Sequence, residues 1–216
     1  MKSKKIGIIG SGQVAQTLGK GFLAEGYRVM LSSRDAGKIE NWAGDDELAS
    51  TGSFDQAAAY GDIVVLAVSG KSAESALQLA GSANLKGKTV IDVSNPIAQE
   101  PPANGVLKFF TDLNESLMEK LQKLEPQAHF VKSFSCVGSN FMVHPKFPDG
   151  IPTMFICGDN DKAKAEVKVI LDQFGWEVED MGGAEAARAI EPLCMLWCIP
   201  GFRENRWTHA FKLLKL

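Results

Sequence analysis

Short apolar runs rich in β-branched residues alternate with stretches of helical periodicity through the first half of the chain. The runs are Lys5–Ile9, Arg28–Ser33, Ile63–Val68 and Thr89–Val93, and helices are predicted over Val14–Leu23 and Ser72–Leu79. Several runs are continuously apolar, as strands covered on both faces are, and helices crossing between such strands make a parallel sheet. The second half continues more loosely, with strands predicted at Phe130–Ser135, Thr153–Cys157 and Trp176–Glu179. Between the last two, Ala163, Val167, Ile170, Leu171 and Phe174 recur at helical spacing, with Asp159 or Asn160 able to cap the start and Gly175 the end. Beyond Gly182-Gly183, Ala184–Leu216 reads as helix with a break near Pro200-Gly201. The pattern predicts one α/β domain over residues 1–216, a doubly wound, mostly parallel sheet with a helical tail over 183–216.

Gly10-Ser11-Gly12-Gln13-Val14-Ala15 is a GxGxxA turn placed directly after a buried strand and at the opening of a helix. That context makes it the dinucleotide-binding fingerprint of a Rossmann-type fold. Gly10 permits the tight turn, Gly12 lets backbone approach a pyrophosphate, and small Ala15 allows close packing of helix on strand. The helix offers unpaired amides and its positive dipole end to phosphates. At the end of the second strand, where an NAD enzyme usually places a carboxylate, the chain has Ser33-Arg34, with Lys38 four residues on. A hydroxyl, a guanidinium and an ammonium suit a 2′-phosphate and favour NADP(H), while Asp35 as a ribose-binding acid is the competing reading.

Ligands of open α/β sheets sit at the carboxyl ends of the strands. Val68-Ser69-Gly70, Ser94-Asn95-Pro96 and Cys136-Val137-Gly138-Ser139-Asn140 stand there as small or polar groups able to line a crevice. No nucleophile with its base is recognisable, and His129, His144 and His209 read as surface or packed residues, so no catalytic side chain is predicted. Arg188 reads as the partner of Glu191 one helical turn on.

Taken with Val131-Lys132-Ser133-Phe134, Phe155–Asp159 and Ala187-Arg188 to Leu196-Trp197, these segments resemble the NADP oxidoreductase family typified by the F420-dependent NADP reductases. The resemblance implies NADPH on the glycine turn, Ser33, Arg34 and Lys38 around the 2′-phosphate, and nicotinamide near Val137, Gly138 and Ser139. It also implies hydride exchange with a deazaflavin such as F420, and dimerisation. An acceptor of flavin type, an imine reductase of the pyrroline-carboxylate reductase kind, a 3-hydroxyacid dehydrogenase and an NADPH-binding redox sensor are the alternatives. Arg188, where hydroxyacid dehydrogenases carry a lysine, weighs against the dehydrogenase.

Composition narrows the partners. With 23 basic and 26 acidic residues the formal charge is −3, which favours a small soluble ligand over nucleic acid or a membrane surface. The longest apolar run, Leu193–Phe202, is short for a membrane span and contains Pro200. Membrane ferric reductases carry a similar domain, and without their spans a cytoplasmic location is expected. Four scattered cysteines suggest free thiols, and neither CxxC nor HExxH is present to suggest a metal. Trp197, Phe202, Trp207 and Phe211 load the tail with aromatic surface, from which a homodimer contact is expected.

Overall fold

The computed structural model describes residues 4–215, so residues 1–3 and 216 of the expected domain and tail lie outside it. Six strands form one parallel sheet: β1 (Lys5–Ile9), β2 (Arg28–Ser32), β3 (Ala49–Gly52), β4 (Ile63–Leu66), β5 (Thr89–Asp92) and β6 (His129–Lys132). Their order is β3-β2-β1-β4-β5-β6, so the direction of winding reverses between β1 and β4. This is the doubly wound order that opens a ligand crevice at the reversal.

The unbroken apolar runs follow from burial on both faces. Ile6, Ile8, Val29, Leu31, Val65 and Ile91 point to the side covered by α1 (Gln13–Ala24) and α6 (Asp161–Gln173). Ile9, Val64, Leu66, Val90 and Phe130 point to the other side. There they meet α2 (Phe54–Tyr60), α3 (Ala73–Ala80), α4 (Ser82–Leu85), α5 (Leu117–Leu124) and the start of α7 (Ala187–Glu204). At about 1.5–3 kcal/mol for each fully buried aliphatic side chain, these two layers supply most of what holds the sheet.

β7 (Thr153–Ile156) and β8 (Glu177–Asp180) form a separate two-stranded parallel sheet with α6 as their crossover. The Lys132 N–H donates to the Cys157 carbonyl at 2.9 Å, joining the end of β7 to β6. α6 follows the sequence pattern, with the Asn160 side chain accepting from Ala163 N–H at 3.0 Å.

Three differences from the sequence reading concern the C-terminal part. β6 ends at Lys132 and not at Ser135, because Phe134 sits at φ 62° and turns the chain out of the strand. α7 runs through Pro192 and Pro200 with no break at Pro200-Gly201, and ends at Asn205, φ 52°. The helix is tied to the body through buried Trp197, whose ring lies where a Cβ on Gly138 would be, and Trp207 folds back onto Gly201. Residues 205–215 are not helical, which corrects the helical tail over 183–216: they run back along β7, where Thr153 N–H donates to the Phe211 carbonyl at 2.9 Å. Much of the aromatic surface in this segment is thus consumed internally. Trp197 stacks on His209 at 5.0 Å and meets Trp207 at 5.6 Å, while Leu196 and Phe202 remain about half exposed.

Candidate functional site

The glycine turn is shaped by close approach. Gly10 has φ 135°, and a Cβ there would stand 2.2 Å from the Ala67 carbonyl oxygen, so the chain after β1 approaches that after β4 more closely than a side chain would allow. Gly12 caps α1 at φ −74°, and a Cβ placed on it meets nothing within 4 Å. Its missing side chain is therefore open space in the crevice. No side chain caps α1, leaving the first-turn amides to face that space.

The crevice has two compartments that share Gly12, Ala67, Val68 and Ser69. The larger, about 530 Å³, is bordered by Gly10, Ser11, Gly12, Ser33, Arg34 and Lys38. Asp35, Phe54, Ser72, Ser75 and Ala76 complete its wall with the shared residues. The smaller, about 330 Å³, is bordered by Gln13, Val14, Val68, Ser69, Val93, Asn95 and Ile97. Eleven of the fourteen sequence-predicted residues, all those up to Asn95, thus border one continuous groove.

Local hydrogen bonds fix the basic end. Ser33 Oγ donates to Ser11 Oγ at 3.0 Å and accepts from Asp35 N–H at 3.1 Å, tying the loop after β2 to the glycine turn. Asp35 turns its carboxylate back onto Gly37 N–H at 3.1 Å, holding the short 3-10 turn that carries Lys38. Asp35 is engaged in shaping the loop, while Arg34 and Lys38 are exposed at the lip and form no ion pair among the described residues.

Val137, Gly138 and Ser139 border neither compartment. Val137 is buried in the core, Gly138 faces Trp197, and Ser139 opens a 3-10 turn beside the start of α1, where Gln13 Nε2 lies 3.5 Å from Asn140 Oδ1. Phe134, at φ 62°, turns the chain out of β6 just ahead of this segment.

Sequence reasoning missed an ionic cluster behind the smaller compartment. Lys132 Nζ, fully buried, lies 2.9 Å from Asp92 Oδ2, 3.0 Å from Glu191 Oε1 and 2.6 Å from the Ser94 carbonyl oxygen. Burial alone would pull the Lys132 pKa down, but the two carboxylates outweigh it and hold the ammonium above the ordinary lysine value. The available signal was opposite charge at the ends of two adjacent apolar strands, since Asp92 and Lys132 are register partners.

Arg188 pairs with Glu119, not with Glu191. Its Nε donates to Glu119 Oε2 at 3.0 Å, and Glu191 instead accepts from Leu117 and Met118 N–H, both at 3.0 Å. The Arg188 guanidinium, with Ser116 N–H donating as well, brings the Glu119 carboxyl down from 4.5 to about 2. The native chain then binds fewer protons here than the unfolded chain, so this stabilisation is complete above pH 4.5 and is lost as pH falls toward 2. Glu119→Gln is expected to flatten the stability profile across that window, measured by urea unfolding at several acidic pH values. An unchanged slope would remove Glu119 from the account of acid sensitivity.

Burial pushes the Cys136 thiol up to about 11 and the Cys157 thiol up to about 12, so neither is a nucleophile near neutrality. No helix among the described residues is long and apolar enough to cross a membrane.

Residues 5–96 match the family model described as NADP oxidoreductase, coenzyme F420-dependent. Among curated proteins, metalloreductase STEAP3 of Rattus norvegicus is 29% identical over 203 residues, covering 92% of this chain and 39% of that protein. The chain thus spans about two fifths of the length of that relative. A provisionally assigned F420-dependent NADP reductase from Arthrobacter sp. FB24 has a solved structure with TM-score 0.91 and 27% identity, covering 99% of this chain and 100% of that one. An imine reductase from Aspergillus terreus, with TM-score 0.67 and 14% identity over 94% of this chain and 63% of its own, shares the fold alone.

Proposed function

We propose, for a chain that belongs by its residues 5–96 to the NADP oxidoreductase family of the coenzyme F420-dependent type, hydride transfer between NADP(H) and a flavin-like or deazaflavin ring such as F420. The residues fit the dinucleotide. The space at Gly12 admits a pyrophosphate against bare backbone, Arg34 and Lys38 stand uncommitted at one end, and at the other the buried Asn95 Oδ1 has no partner among the described residues. Ser33, Arg34 and Lys38 would hold the 2′-phosphate, and Gly10, Ser11, Gly12 and the amides of Gln13 and Val14 the pyrophosphate. Val68, Ser69 and Asn95 would border the nicotinamide, with Val137, Gly138 and Ser139 closing the groove from outside. NADPH supplies the hydride when bound.

The observation that carries the choice of acceptor is the lining of the smaller compartment, which holds Gln13, Val14, Val68, Ser69, Val93, Asn95 and Ile97 and no titratable side chain. Passing hydride to a conjugated ring requires proximity, orientation and exclusion of water, which such a lining can provide. An imine nitrogen must also receive a proton, and this lining offers no acid for it. A panel of F420, FMN, FAD, imines and ketoacids, followed by loss of NADPH absorbance, tests the assignment. Turnover with an imine and with no ring acceptor would reverse the order, and tight NADPH binding without turnover would favour a sensor.

Cofactor preference gives a second test. A hydrogen bond to a charged group contributes about 1.5–3 kcal/mol, so Arg34→Ala is expected to weaken NADPH binding about 10- to 100-fold and leave NADH nearly unchanged. Fluorescence titration of both cofactors decides it, and equal wild-type affinities would refute the 2′-phosphate site.

A further inference from the structure

The groove's nicotinamide end is bounded by a loop that the protein holds from behind with charge. β5 ends at Asp92, and the chain continues as Val93-Ser94-Asn95-Pro96. Asp92 Oδ1 accepts from Ser94 N–H at 2.9 Å and from Ser94 Oγ at 2.6 Å. Asp92 Oδ2 faces Lys132 Nζ, which also donates to the Ser94 carbonyl. Every polar group of Ser94 is therefore bound to one of two ions, and both ions are fully buried. Glu191 completes the charge environment of Lys132 while accepting from two backbone amides at the start of α5. In the next peptide, the Asn95 carbonyl oxygen lies 2.1 Å from where a Gly70 Cβ would be, so the loop is pressed against backbone there as well.

Ions are an expensive filling for this space, since apolar side chains of equal volume often stabilise a core as well or better. What they add is direction: both carbonyl and amide of Ser94 are pinned, and with them the peptide that carries Asn95 into the groove. Asn95 Oδ1 is itself buried and unpartnered among the described residues, an acceptor suited to a ligand N–H such as that of a carboxamide. We propose that Lys132, Asp92 and Glu191 are positioning residues that set the Ser94-Asn95 lip for the nicotinamide end of the dinucleotide, without touching the ligand. The proposal rests on the dinucleotide reading above.

The test separates the two ends of the ligand. Asp92→Asn and Ser94→Ala in the full chain are titrated by calorimetry with NADPH and with 2′-phospho-ADP-ribose, which keeps the phosphate half and lacks nicotinamide. Asp92→Asn is expected to bind NADPH about 10-fold more weakly and Ser94→Ala, which loses only the Oγ bond, about 5-fold; both are expected to bind 2′-phospho-ADP-ribose within about 2-fold of wild type and to shift the fluorescence emission of bound NADPH toward that of free cofactor. Ser94→Ala keeps all three charges, so it carries the test should Asp92→Asn fail to fold. Equal losses for both ligands, or a lowered Tm with neither affinity changed, would make the cluster structural and overturn the proposal. A wild-type chain that binds neither ligand would instead remove the dinucleotide reading.

Discussion

Gly12→Val is expected to abolish NADPH binding and to leave the fold intact. The backbone at Gly12 is extended, φ −74° and ψ 179°, a conformation valine adopts without strain, and an added Cβ meets no protein atom within 4 Å. It enters instead the space against which the pyrophosphate would lie, removing the closest backbone contact and shielding the first-turn amides of α1. A loss of at least about 100-fold, near 3 kcal/mol, is expected by calorimetry, with an unchanged circular dichroism spectrum. Gly10 behaves oppositely. Its φ of 135° and its contact with the Ala67 carbonyl make any side chain there a folding defect, so a Gly10 variant could not separate binding from stability. Retention of NADPH affinity within about 3-fold in Gly12→Val would show that the turn serves structure alone.

Lys132→Met has the largest expected effect on stability. It removes the only cation paired with Asp92 and Glu191 among the described residues and leaves two buried carboxylates without it. Breaking a buried ionic cluster from one side costs about 3–5 kcal/mol. In a chain of this size that lowers Tm by about 10 °C or more. Thermal unfolding of the variant beside wild type measures this. A small change would mean that the lysine is accommodated by packing and not by charge.

The parts legible in the sequence and the parts that were not differ for physical reasons. β1, β4 and β5 announce themselves because burial on both faces leaves Ile6–Ile9, Ile63–Leu66 and Val90-Ile91 without a polar position, with Lys5, Thr89 and Asp92 only at the strand ends. β3 is Ala49-Ser50-Thr51-Gly52, an edge strand defined by pairing with β2 and by no apolar signal of its own. α5 spans Leu117–Leu124, about two turns, too short for periodicity to stand out. Its start was nevertheless written in Ser116 and Glu119, where Glu119 Oε2 accepts from Ser116 N–H at 2.8 Å and Ser116 Oγ accepts from Glu119 N–H at 3.1 Å. The groove residues up to Asn95 were readable because they occupy the loops directly after β1, β2, β4 and β5, whose place the strand order dictates. Val137 to Ser139 border neither compartment, and the left-handed residue Phe134 that turns the chain after β6 is a position the sequence does not mark. The ionic cluster joins three residues from three distant segments, and only the finished packing assembles it.

That distance bears on how the molecule matures during synthesis. Lys132 bonds to Asp92 across 40 positions, and Glu191 reaches Leu117 across 74, whereas Ser33 ties to Ser11 across 22. Short-range closures cost less chain entropy and form earlier. The basic end of the groove can therefore take shape while the ribosome is still adding the second half, but the Ser94-Asn95 lip at its other end awaits the docking of α7. Until that helix brings Glu191, Lys132 and Asp92 stand partly solvated, and the lip is the last part of the groove to be set.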